Sequence, residues 1–165
     1  MQTVGVISGS FDPITNGHAW LIEEAALLVE ELHIVMAVNP AKKYAFPEEQ
    51  RLDLVKTVIS DLKLAVPVTV HVLGQVLLVD FAKRIGANRL IRGLRNAEDL
   101  AYERRMAQIN RKLTPDIPTI YVASPAALSE LSSSSIRSLL EFEGWQRIVA
   151  DHVHPCVLQA LVQKV

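Results

Sequence analysis

The sequence predicts an α/β fold: one doubly wound, five-stranded parallel sheet with helices on both faces and a C-terminal helical segment. Three observations carry this reading. Short β-branched runs alternate with helical stretches along the chain, as strands joined by crossover helices do. The 165 residues suffice for one domain with its own core and are too few for two, so 1–165 is read as a single domain. Finally, a breaker-rich segment, Gly9-Ser10-Phe11-Asp12-Pro13-Ile14-Thr15-Asn16-Gly17-His18, separates the first strand from the first helix.

Taken in order, Val4–Ile7 is the first strand and Gly17–Leu32 carries the first helical pattern. His33–Val38 is the second strand. Pro47 and the acids after it favour a helix start, and Glu48–Leu62 follows. Its Leu52, Val55, Ile59 and Leu62 recur at helical spacing and mark a core face. Val68–Val72 is the third strand and Val76–Ile85 the next helix, ended by Gly86 with Asn88 in the turn beyond. Arg89–Ile91, a helix over Ala97–Lys112 and the strand Thr119–Val122 complete the alternation, which is Rossmann-like. A helix from Ser134 to Phe142 follows the serine run Ser132–Ser135, and Cys156–Gln163 forms the last.

Composition excludes several classes. Half the residues are hydrophobic, yet no apolar run approaches the roughly 18 residues of a membrane span. Much surface is therefore expected to be buried, and the apolar excess is compatible with subunit contacts. The first strand begins within a few residues of Met1, leaving no signal peptide or transit segment in view. Cys156 is the only cysteine and cannot form an internal disulfide, which fits a reducing cytoplasm. The net charge of −1 provides no global attraction to nucleic acid, so anionic ligands must be held by local positive groups.

In open α/β sheets ligands bind beyond the carboxyl ends of the strands. There the first strand meets Gly9–His18, where unpaired amides at a helix start form an anion site within reach of the His18 ring. The second strand is followed by Asn39-Pro40-Ala41-Lys42-Lys43, the third by Gly74 to Leu78, the fourth by Arg92-Gly93-Leu94-Arg95 and the fifth by Ser124 and the serine run. An arginine directly after a buried strand needs an anionic partner. Cations gathered in one crevice without counter-ions point to a polyphosphate ligand. The serine run, leading into Ile136 and Arg137, can hold phosphate oxygens at a helix N-terminus.

Competing motifs fail. Gly5 and Gly9 have the wrong spacing for a dinucleotide fingerprint, no Walker lysine follows a glycine loop, and no G-x-S-x-G elbow exists. His152 and His154 read as a surface pair rather than a metal site, and His33 and His71 as structural.

The G-S-F-D-P-x-T-x-G-H segment, Arg92-Gly93-Leu94-Arg95 and Leu131-Ser132-Ser133-Ser134-Ser135-Ile136-Arg137 resemble the nucleotidyltransferase superfamily with T/HxGH and ISSxxIR-type motifs. The resemblance to the bacterial phosphopantetheine adenylyltransferase family is closer. It continues through Asn39–Lys43, Glu48-Glu49-Gln50-Arg51, Asp80-Phe81-Ala82, Tyr102-Glu103, Met106, Asn110–Leu113 and Pro115. It implies transfer of AMP from ATP to 4′-phosphopantetheine with Mg²⁺, giving dephospho-coenzyme A and pyrophosphate. Metal would be held through the ATP phosphates and by no protein ligand. His18 would stabilise the transition state, joined in catalysis by Lys42 and Arg95. Ser10, Lys42, Leu78 and Arg92 would take phosphopantetheine. Ser10, the Phe11 backbone, His18, Gly93, Leu94, Arg95 and Glu103 would hold ATP, with Leu128, Ser129, Glu130, Leu131, Ser132, Ser133 and Ser134. A homohexamer with coenzyme A as feedback ligand is also implied.

Four residues depart from the family pattern. Ser10 replaces a usual threonine and keeps the hydroxyl, Leu128 and Glu130 stand where aromatics are common, and Val76 replaces a frequently polar residue. The alternatives are adenylyl transfer to another phosphomonoester such as nicotinamide mononucleotide, and a nucleotide-binding protein without turnover. A phosphomonoester with a second pKa near 6 is already nucleophilic at pH 7, so alignment and charge neutralisation suffice. His18, at a positive helix end, is expected to stay neutral and donate one hydrogen bond.

Overall fold

The computed structural model describes residues 2–130 and 132–165. Five strands, β1 (Val4–Gly9), β2 (Glu31–Ala37), β3 (Val68–Leu73), β4 (Arg89–Leu94) and β5 (Thr119–Ala123), form one parallel sheet in the order β3-β2-β1-β4-β5. The chain winds outward from β1 to β3, then returns to β4 on the other side of β1 and continues to β5. The direction of winding thus reverses between β1 and β4, which opens a crevice at their carboxyl ends.

Strand residues alternate between two cores, as the two-residue period requires. Ile7, Ile34, Met36 and Ile91 face one cluster, completed by helices α1 (Asn16–Ala26), α2 (Glu48–Asp61), α6 (Ser133–Leu139), α7 (Gln146–Val149) and α8 (Pro155–Lys164). Val4, Val6, Val35 and Leu90 face the other, covered by α3 (Leu78–Arg84) and Ile117. Helix α4 (Ala97–Leu113) buries no residue fully, and the short α5 (Ala126–Ser129) leads from β5 toward the serine run.

Several boundaries differ from the sequence expectation. The first helix stops at Ala26 rather than Leu32. The backbone amides of Glu30 and Glu31 donate to the Thr3 carbonyl, and the Glu30 carboxylate accepts from the Thr3 amide at 2.7 Å. That turn starts β2 early, at Glu31. Helix α2 turns a different face inward: Arg51, Leu54, Val55 and Val58 are buried, whereas Leu52, Ile59 and Leu62 only flank the core. Helix α3 begins at Leu78, two residues late, and α6 ends at Leu139 rather than Phe142. Most consequential, β4 extends to Leu94, so Arg92 and Gly93 are strand residues opposite Tyr121 and Val122 rather than a loop.

Candidate active site

The β1–α1 connection is held from both ends. Phe11 adopts φ +44°, a left-handed backbone that costs a non-glycine residue about 1 kcal/mol or more. Its ring is buried under Gly9, where an added Cβ would lie 3.2 Å from it, and meets the His18 ring edge-on at 5.1 Å between centroids. Asp12 is fully buried, accepting from the Ala45 and Phe46 amides at 2.8 and 3.0 Å. The Arg137 Nη1 donates to the Asp12 carbonyl and lies 3.6 Å from its carboxylate. One carboxylate thus ties together the loop after β1, the loop after β2 and helix α6.

Thr15 caps α1 in a capping box whose usual glutamate is His18. The Thr15 amide donates to His18 Nδ1 at 3.0 Å. Nδ1 is therefore the acceptor, and the ring proton belongs on Nε2, free to donate to a ligand. Burial lowers the His18 pKa to about 4, with Arg95 and then Arg92 pushing the same way. At pH 7 the ring is a neutral donor held in a fixed tautomer.

A crevice of about 310 Å³ lies at the carboxyl ends of β1 and β4. It brings together Ser10, His18, Lys42, Arg92, Gly93, Arg95 and Glu103 with Leu128, Ser132, Ser133 and Ser134. Lys42 Nζ donates to Ser10 Oγ at 3.4 Å, and Ser133 Oγ donates to the Pro13 carbonyl at 2.8 Å. Ser132 caps α6 through the Ser135 amide, which anchors the serine run as a helix start.

Other expected site residues lie elsewhere. The Leu78 side chain packs against the opposite core, because α3 covers that face of the sheet. Phe11 does not line the crevice, its ring being buried. Leu94, Ser129 and Glu130 do not line the crevice; Ser129 Oγ instead bonds the Pro125 carbonyl and Ser124 Oγ. Leu131 lies outside the described residues.

The expectation that the cations gather without counter-ions is overturned. Arg92 is clamped by Glu103 through Nε and Nη2 at 2.9 and 2.6 Å, and its Nη1 donates to the Ser8 carbonyl at 2.6 Å. Both Glu103 oxygens therefore accept from Arg92, in a pair that itself lines the crevice. Arg95 is paired in the same forked way with Asp99, whose carboxyl those hydrogen bonds hold below its usual range. Sequence reasoning carried Asp12, Thr15 and Arg137 only within motifs, with no role of their own, and missed Asp99. Two of them had a signal, since Thr15 precedes His18 by three residues and Asp99 follows Arg95 by four.

His33 and His71 pair on adjacent strands at 2.9 Å, with Glu31 3.2 Å from His33. His154 caps α8 and pairs with Asp61.

The cytidylyltransferase-like family model matches residues 6–139. A phosphopantetheine adenylyltransferase of Chromobacterium violaceum is 38% identical over 148 residues, covering 90% of this chain and 88% of that protein. Another of the same name, from Heliobacterium modesticaldum, is 35% identical over 163 residues, covering 99% and 93%. Among solved structures, Plasmodium falciparum nicotinic acid mononucleotide adenylyltransferase complexed with NaAD superposes with a TM-score of 0.75 at 15% identity, covering 99% of this chain and 96% of that one. That last likeness is one of fold.

Proposed function

This chain belongs to the cytidylyltransferase-like family and, within it, to the phosphopantetheine adenylyltransferases, and from that premise we propose how its crevice performs the transfer. The enzyme moves AMP from ATP to 4′-phosphopantetheine, a nucleotidyl transfer that yields dephospho-coenzyme A. A phosphate oxygen of the acceptor forms the new bond to the α-phosphorus, the α–β bridging bond breaks, and pyrophosphate leaves with its electron pair. No general base is required, because the acceptor phosphate is largely dianionic at pH 7. The protein's task is to align the two phosphates and stabilise charge on the departing one.

The observation that carries this reading is convergence. His18, Lys42, Arg92, Arg95 and the serine run, drawn from four separate chain segments, line one crevice at the point where the winding reverses. The His18 Nε2–H is the donor for the α-phosphoryl oxygens. Lys42 and Ser10 face the acceptor phosphate, together with Arg92, while Arg95, Gly93 and the serine run take ATP. With Glu103 and Asp99 committed to arginines, Mg²⁺ fits best as an ion carried on the ATP phosphates, where it offsets their charge. Leu78, the first residue of α3, is assigned to the acceptor by resemblance alone, its side chain packing against the opposite core.

The α4 stripe Tyr102, Met106, Ile109 and Leu113, between 37% and 55% exposed, is covered in a homo-oligomer, a hexamer by family resemblance. Coenzyme A, which is the product with one further phosphate, is its feedback ligand. The unpaired Cys156 thiol accords with a cytoplasmic enzyme. No helix of the described residues is long and apolar enough to cross a membrane.

Replacing His18 by alanine tests the assignment. The turnover rate should fall by roughly 10²–10³, as on loss of an oxyanion-type donor, with ATP affinity little changed. Near-normal turnover would remove His18 from the mechanism.

A further inference from the structure

Of the four arginines at or beneath the crevice, three are neutralised within the chain: Arg92 by Glu103, Arg95 by Asp99 and Arg137 by Asp12. The fourth, Arg51, is 1% exposed, yet no carboxylate lies within ion-pair distance among the described residues. Its Nη1 donates to the Ser10 carbonyl at 2.8 Å, and its Nε is buried with no partner among those residues. The guanidinium stacks 3.9 Å from the centre of the Tyr44 ring, and Lys42 Nζ sits 5.7 Å from the same centre. Two cations thus share one aromatic ring directly beside Ser10, and neither has an acidic partner among the described residues.

A buried charge left without a counter-ion is costly, and this fold had a cheap remedy available, having supplied carboxylates to the other three arginines. We propose that Arg51 is a positioning residue for the acceptor phosphate. It fixes the Ser10 carbonyl and, with Lys42, holds an unbalanced positive field under that loop, which a phosphate at Ser10 and Lys42 completes. Arg51 touches no ligand itself. Its charge acts through low-dielectric protein and through the loop it holds, where water screens it little. Tyr44 links the two cations: both sit over its ring, and its hydroxyl accepts from the Asn39 amide at 2.7 Å, which pins the loop carrying Lys42.

This inference rests on the acceptor site proposed above, and its test separates the two. Arg51→Met and Arg51→Lys are compared with wild type for melting temperature without ligand, and by calorimetry for 4′-phosphopantetheine, inorganic phosphate and ATP. Arg51→Met should melt no lower than wild type, since an unbalanced buried charge has gone, yet bind phosphopantetheine and phosphate at least about tenfold more weakly. Its ATP affinity should change less. Arg51→Lys, which keeps the charge, should recover most of the binding. An Arg51→Met protein that melts well below wild type, or binds both acceptor probes as wild type does, overturns the inference. A wild type that binds phosphate but ignores phosphopantetheine overturns the acceptor assignment instead, and the phosphate comparison still decides the role of Arg51. A wild type that binds neither probe overturns both.

Discussion

Acidification from pH 7 to pH 5 should protonate ordinary imidazoles and leave His18 neutral. With a pKa near 4 in the folded chain, about one His18 ring in ten carries a charge at pH 5, against nearly all rings of an unperturbed histidine. The unfolded chain takes up this proton as pH falls through 6.5, whereas the folded chain resists until about 4. Between those values the unfolded state binds more protons, so stability rises with pH and is lost on acidification. The full shift corresponds to at most about 3 kcal/mol, and the ring's partial exposure reduces that. Two readouts check it. The His18 Cε1 resonance, assigned by its disappearance in His18→Gln, should stay unmoved until below pH 5. Urea unfolding should show wild type losing more stability than His18→Gln between pH 7 and 5, the other histidines cancelling in that comparison. A titration midpoint near 6.5, or equal losses in the two proteins, would refute the tautomer and burial argument. The acid limb of the rate profile should then come from the acceptor phosphate, with activity falling as pH drops below about 6.

Two further perturbations follow from the ion pairs and the exposed helix. Arg92→Met leaves the largely buried Glu103 carboxylate unpaired and should cost about 2–4 kcal/mol in denaturant unfolding; adding Glu103→Met should restore most of that stability while phosphopantetheine affinity stays lost. A double variant as unstable as the single one would show that the pair is not the source of the loss. Ile109→Glu, a charge placed in the exposed apolar stripe of α4, should shift the scattering mass toward monomer with the fold retained by circular dichroism, and an unchanged mass would exclude this face as the subunit contact.

The parallel α/β alternation was legible because each strand is a compact β-branched run: four strands begin at the expected Val4, Val68, Arg89 and Thr119, and β2 begins two residues before His33. Gly9–His18 and Lys42 were legible because strand ends in this architecture face one crevice. What could not be read was pairing across the fold. Arg92 and Glu103 lie eleven residues apart in sequence, and only the extension of β4 beyond Ile91 brings the guanidinium onto the carboxylate of α4. The polyphosphate argument from unbalanced charge therefore failed for Arg92 and Arg95. It holds for Lys42 and extends to Arg51, which it had not included and whose burial was hidden because the periodicity of α2 was read from Leu52 and Ile59 instead of Leu54 and Val58. The end of α1 was misplaced for a similar reason: Leu27 and Leu28 continue the apolar pattern but are 79% and 46% exposed, and a contact with Thr3 makes the turn.

Offering the purified protein ATP and Mg²⁺ with a panel of phosphomonoesters, and following pyrophosphate release, tests the whole account. 4′-Phosphopantetheine should support rapid release, with nicotinamide mononucleotide and simple sugar phosphates near background. Preference for nicotinamide mononucleotide, or no release with any acceptor, would contradict it.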